Sequence, residues 1–193
     1  MTPRYIVVKV GGSLLDLPGL GPRLRAWLDG QTNAALILVA GGGPTADVIR
    51  AADDRHGLGE ETAHWLALRA LSLNSHLLAA LVPRTCVVEA LSACRAAWDA
   101  GLTPILDPLP IMHADEARPD RLPHRWTVTS DSVAARIAHL AGAAELVLLK
   151  SRHAPTGAGW DELARAGLVD EWLPRMVPLL PAVRMVNFRA HDH

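Results

Sequence analysis

Tyr5-Ile6-Val7-Val8-Lys9-Val10-Gly11-Gly12-Ser13 decides the architecture of this chain. Its first half is apolar and rich in β-branched residues, which reads as a strand buried on both faces, and such strands belong to parallel sheets covered by helices. The run then breaks at two adjacent glycines, where the backbone can approach a ligand closely and aim successive N–H groups at it. Lys9 adds a compact positive charge, the natural point partner of a phosphate. A Walker P-loop is excluded, because the lysine precedes the glycines and no G-x-x-x-x-G-K-[ST] occurs anywhere in the chain.

Outward from this strand the pattern repeats. Further apolar runs predict strands at Ala35–Ala40, Thr85–Val88, Thr103–Leu106, Leu146–Leu149 and Arg184–Val186. Helical patterns fall between most of them, at Gly21–Leu28, Thr45–Arg55, Glu61–Val82, Leu91–Ala100, Ser132–Ala141 and Asp161–Ala166. Alternation of this kind predicts an α/β fold with a largely parallel sheet. The Pro-rich stretch 104–123 breaks the pattern and is expected to be a surface excursion. The helix Glu61–Val82 is apolar on several sides, so it is expected to be buried against the sheet or a second subunit.

Composition narrows the function. With 193 residues the chain is expected to form one domain over 1–193, and half of it is hydrophobic, which excludes a disordered chain. Nineteen basic against twenty acidic residues give a net charge of -1, so neither nucleic acid nor a membrane is an expected partner. Cys86 and Cys94 match no metal or redox spacing and read as reduced thiols. The N-terminus lacks the progression of a signal peptide, and a cytoplasmic location is expected. Nine histidines show no metal spacing, and no metal-ligating residues are predicted; His191 and His193 fall in an expected frayed tail.

Seventeen of the nineteen basic residues are arginines, so the two lysines, Lys9 and Lys150, stand out. Each sits at the end of a predicted strand, where a parallel sheet delivers side chains to its ligand crevice. A second glycine turn, Gly41-Gly42-Gly43-Pro44, closes the second strand and opens a helix, which again suits an anion. Gly41, Gly43 and Ala46 also satisfy a loose dinucleotide fingerprint, but that motif belongs after the first strand of its unit and wants an acidic residue closing the next strand. Trp126-Thr127-Val128-Thr129-Ser130-Asp131-Ser132 leads into a helix, and its plain reading is an N-cap. Asp131 gains a further role if it faces the two lysines, because a carboxylate between two ammonium groups fixes both. Glycine turns, paired lysines and an organising aspartate are the parts that phosphoryl transfer needs, since its catalysis rests on positioning and charge stabilisation.

In their order along the chain these segments resemble the amino acid kinase superfamily, which includes acetylglutamate, aspartate, uridylate and isopentenyl phosphate kinases. Lys9–Ser13, Gly41–Pro44, Thr129–Ser132 and Leu148-Leu149-Lys150-Ser151 carry the resemblance, over about three-quarters of the chain. It implies an open αβα sandwich with a mainly parallel central sheet, Mg²⁺-ATP as donor and a homo-oligomer. By the same resemblance Lys9, Asp131 and Lys150 would be catalytic, and Gly11, Gly12, Ser13, Gly42, Gly43, Ser130 and Ser151 would bind ATP or its phosphates. Gly41, His64, Arg69, Trp126 and Thr129 would bind the acceptor. The family's further lysine from a C-terminal Gly-Gly-Met-type segment is absent, so Lys150 or an arginine such as Arg152 takes its role, or the design is altered or inactive. Ala63-His64-Trp65, the Trp126–Ser132 string and Gly167-Leu168-Val169-Asp170 look most like the small kinases of methanofuran biosynthesis. Those convert [5-(aminomethyl)furan-3-yl]methyl phosphate to its diphosphate. A non-catalytic nucleotide- or oxyanion-binding member of the same fold is the alternative.

Overall fold

The computed structural model describes residues 5–31 and 34–190, so His191 and His193 lie outside the described residues. Six strands form one sheet in the order β3-β4-β2-β1-β5-β6: β1 Tyr5–Val10, β2 Ala35–Ala40, β3 Thr85–Val88, β4 Thr103–Leu106, β5 Glu145–Lys150 and β6 Val183–Asn187. Every neighbouring pair is parallel, as a chain of strand–helix alternation requires. The helices are α1 Leu20–Asp29, α2 Gly43–His56, α3 Glu60–Leu81, α4 Cys94–Asp99, α5 Pro108–Asp115, α6 Ser130–Leu140, α7 Trp160–Arg165 and α8 Leu173–Met176. No helix among the described residues is long and apolar enough to cross a membrane.

The period of two along each strand divides the core. Ile6, Val8 and Val10 face α1 together with Leu36, Leu38, Val147 and Leu149. Val7, Val39, Leu146 and Leu148 face the other way, onto Val133, Ala134, Ile137 and Ala138 of α6 and Leu68 and Leu71 of α3. Lys9 and Lys150 fall in this second alternation, so both rise on the face that α6 covers. Chain direction puts them at one edge, because all six strands end there. β1 lies between β2 and β5 in the centre of the sheet, so the crevice at its end is the point where the connections diverge to opposite sides.

Within the expected excursion 104–123, the first half belongs to β4 and α5, while residues 117–121 are exposed. Pro104 sits inside β4, and Pro108 occupies the first turn of α5, where a missing N–H costs nothing. Asp107 caps that helix by accepting from the Leu109 N–H at 2.9 Å. The segment is locked to the core by Arg136, which is 1% exposed. Its guanidinium donates to both oxygens of Asp115, at 2.8 Å each, and to Asp120 at 2.9 and 3.0 Å. Removing Arg136 leaves the Asp115 carboxylate, its side chain 2% exposed, without its main partner in low dielectric. Arg136→Ala should therefore cost ~3–5 kcal/mol of unfolding free energy, read as a lowered urea midpoint. An unchanged midpoint would show that the segment is not held by this network.

Candidate active site

Asp131 stands in the first turn of α6 and is 3% exposed. Its Oδ1 lies 2.9 Å from Lys9 Nζ, and its Oδ2 accepts from Lys150 Nζ at 2.6 Å. Burial alone would raise the Asp131 pKa, but the two ammonium charges override it and hold the carboxyl well below the usual range. For Lys150 burial dominates and, with the Lys9 charge, pushes the ammonium down to about 8 against the pull of Asp131 and Asp170. One carboxylate thus joins two lysines from β1 and β5 into a rigid cationic bridge at the strand ends. Arg152, the other candidate for the second cation, is exposed.

The two glycine turns meet each other. A Cβ on Gly12 would come within 2.1 Å of the Gly43 nitrogen, and Gly43 has a φ of +50°. Side chains are therefore excluded by the neighbouring backbone, and the turns act as one unit. Gly11 donates to Leu149 O at 2.9 Å and Gly41 to Val10 O at 2.8 Å, which ties the unit to β5 and β1. The 3-10 turn Gly12–Leu14 and α2 both begin here, so their first N–H groups point away from any intrahelical partner. Ser13 and Ser151 share a hydrogen bond of 2.9 Å on the outer side.

A cavity of about 170 Å³ opens on the other side of the second turn, lined by Gly42, Gly43, His64, Trp126, Thr129 and Ser130 among others. Ala46, Ala67, Leu68, Leu71, Val128 and Val133 give it an apolar wall. Arg50 and Asp47 complete its rim; the Arg50 guanidinium lies 4.7 Å over the Trp126 ring, and Trp126 Nε1 donates to Asp53 at 2.7 Å. His64 stacks on His124 at 4.3 Å. His124 is gripped by Glu61 at one ring nitrogen and by Glu116 at 2.9 Å at the other. Burial opposes its charge, but the two carboxylates prevail and raise its pKa. Burial, then the His124 charge, pushes His64 down to about 4, so a neutral imidazole faces the cavity at neutral pH.

The structure thus brings Lys9, Asp131 and Lys150 into contact, joins Gly11, Gly12, Gly41, Gly42 and Gly43 in one paired turn, and sets His64, Trp126, Thr129 and Ser130 around the adjoining cavity. Gly41 touches Gly12 and does not line the cavity. Arg69 departs from expectation. It lies five residues beyond His64, about 140° around the helix, and it is exposed outside the cavity. The arginine at the rim is Arg50. Sequence reading also missed Asn74, which is 1% exposed and donates to the Gly41 and Gly42 carbonyls at 2.8 and 2.7 Å while accepting from Thr45 Oγ1 at 3.0 Å. Its signal was the one amide in α3, at helical spacing from the apolar Leu71 and Leu78.

Two outcomes follow for the turns. Gly12→Ala should lower stability by ~1–3 kcal/mol or more, through overpacking against backbone, with the loss visible in ligand-free thermal melts. Asn74→Leu should cost ~1–3 kcal/mol by leaving the Gly41 carbonyl without its amide donor, the Gly42 carbonyl keeping the Ala46 N–H at 3.2 Å. Melts unchanged from the parent protein in both variants would show that the turns are held by something else.

Comparison with known proteins agrees with this fold. The chain superposes on a uridylate kinase from Archaeoglobus fulgidus with a TM-score of 0.61 at 14% identity, covering 94% of this chain and 89% of that one. For UMP kinase from Ureaplasma parvum the TM-score is 0.66 at 12% identity, with 95% and 89% covered. For carbamate kinase from Giardia lamblia bound to AMP-PNP it is 0.57 at 8% identity, with 97% and 93% covered. No curated protein matches the chain in sequence. Residues 4–153, which hold both glycine turns, both lysines and Asp131, match the amino acid kinase family; the chain belongs to that family.

Proposed function

We propose that the protein is an ATP-dependent small-molecule kinase whose acceptor is a phosphate monoester built on a small ring, the best fit being [5-(aminomethyl)furan-3-yl]methyl phosphate. The observation that carries this reading is the Lys9–Asp131–Lys150 bridge beside the paired glycine turns. In the reaction an oxygen of the acceptor phosphate attacks the γ-phosphorus of ATP, the bond to the β–γ bridging oxygen breaks, and ADP leaves as the acceptor becomes a diphosphate. Lys9 and Lys150 offset the charge that spreads over the transferring group, and Asp131 keeps both ammonium groups aimed. The N–H groups of the turns hold the phosphate chain in line. Magnesium carried in on the triphosphate supplies further neutralisation; the lysine pair and the turns fit such a polyanion.

The acceptor cavity supports the finer reading. Its apolar wall suits a ring, and the Arg50–Asp47 ion pair at its rim, 3.1 Å across, offers a guanidinium to a phosphate and a carboxylate to an ammonium group. Neutral His64 supplies a hydrogen bond without repelling that ammonium. A carbamate kinase of the same fold binds the ATP analogue AMP-PNP, in keeping with a nucleotide donor. Pairing with a second copy through α3 belongs to the same proposal, because Leu73, Leu77 and Leu81 recur at every fourth residue and are 60%, 44% and 41% exposed.

Incubation with Mg²⁺-ATP and a panel of phosphate monoesters, carboxylates and nucleotides should release ADP only with an acceptor of the first class. ADP formation at background with every acceptor would overturn the proposal. Lys9→Ala should lower kcat by about 10²–10³-fold. Because Lys150 must carry its proton and titrates at about 8, kcat/KM for ATP should fall as pH rises through that value. In the ternary complex bound phosphates favour the ammonium, so the same limb in kcat should move to higher pH. Sedimentation should give a dimer that Leu77→Arg converts to a monomer; a monomeric parent protein would refute the pairing.

A further inference from the structure

Asp170 lies in the connection between α7 and α8 and is 9% exposed. Its Oδ2 accepts from the Thr129 N–H, Thr129 Oγ1 and the Ser132 N–H, each at 2.9 Å. Its Oδ1 accepts from Ser132 Oγ at 2.5 Å, the Leu173 N–H at 2.8 Å and the Trp172 N–H at 3.2 Å. Six donors on one carboxylate are as many as its lone pairs and their bifurcation will bear. Four of them come from the segment that brackets Asp131 on both sides. The Asp170 N–H itself donates to Asp131 Oδ2 at 3.3 Å, the same oxygen that takes Lys150.

We propose that Asp170 is a positioning residue for the lysine bridge: it clamps the first turn of α6 and so sets Asp131 between Lys9 and Lys150. The inference takes the lysine pair as the phosphate-binding group from the reading above. Without the clamp, the N–H groups at the start of α6 would be free donors and Asp131 would ride on a frayed helix end. With it, the aspartate stands on a turn fixed at both flanks. The charged groups that face Lys150 are Asp131, Asp170 and Lys9; the first two favour its proton and the third opposes it. The Asp170 charge also acts on Lys150 directly, so the clamp is isolated by a variant that keeps this charge and loses one of the clamping hydrogen bonds.

The chain offers a direct readout, because it has only two lysines. In protein labelled with ¹³C-lysine, two ε-carbon signals can be followed against pH with no nucleotide or acceptor present, and Lys9→Arg identifies which is which. Asp170→Asn should lower the Lys150 midpoint by about half a unit or more. Ser132→Ala, which removes one hydroxyl and keeps the charge, should lower it by less. Should Asp170→Asn fail to fold, the Ser132→Ala shift decides alone. A Lys150 midpoint in Ser132→Ala equal to that of the parent protein would overturn the proposal, whether or not Asp170→Asn shifts it. Since the experiment needs no turnover, its failure is distinct from a failure to find kinase activity.

Discussion

One buried carboxylate organises this molecule's functional edge. Two ammonium groups at the ends of neighbouring strands would repel each other and resist burial, and each on its own would cost several kcal/mol to desolvate. Asp131, in contact with both, makes the arrangement tolerable and leaves one net positive charge in the triad. That residual charge sits where six parallel strands end and where two helices begin. A polyanion is what such a place is complementary to, and proximity in space comes from the alternation of strand residues rather than from proximity in sequence.

The paired glycine turns show a second constraint. Their glycines read in the sequence as places where a ligand comes close, yet the closest neighbour of each turn is the other turn. Backbone against backbone fixes the loop conformation before any ligand arrives, and Asn74 holds the second turn from below. Preorganisation of this kind means that less ordering is left for substrate binding to impose. The same packing separates the two functional regions: the lysine bridge stands on one side of the start of α6, and the cavity with Arg50 and His64 on the other.

Much of this was legible in the sequence. β1 to β4 fall where the apolar runs place them, and β5 and β6 extend the expected runs by one residue at each end, because strand composition is local and the runs are bounded by glycine, proline or charge. The lysine–aspartate set was legible because a chain with two lysines places each at a strand end. What escaped is what depends on the third dimension. The prolines of 104–123 announce a surface excursion, whereas its first half enters β4 and α5 and Arg136 ties it to α6 through the Asp115 carboxylate 21 residues earlier. Arg69 was chosen on the right helix but the wrong face, and Arg50 was passed over because α2 carries no apolar stripe to orient it. Asp170 entered only as the end of the Gly167–Asp170 string, since nothing local reveals that four of its six donors come from Thr129 and Ser132, about forty residues earlier.

The claim on which the account turns is that the lysine bridge and the turns receive the phosphates of a nucleoside triphosphate. A crystal structure with AMP-PNP and magnesium tests it most directly. The account predicts the γ-phosphate within hydrogen-bonding distance of both Lys9 and Lys150 Nζ, with the phosphate chain running along Gly11 and Gly12. A nucleotide bound elsewhere, with Asp131 still closing both lysines off from it, would contradict it.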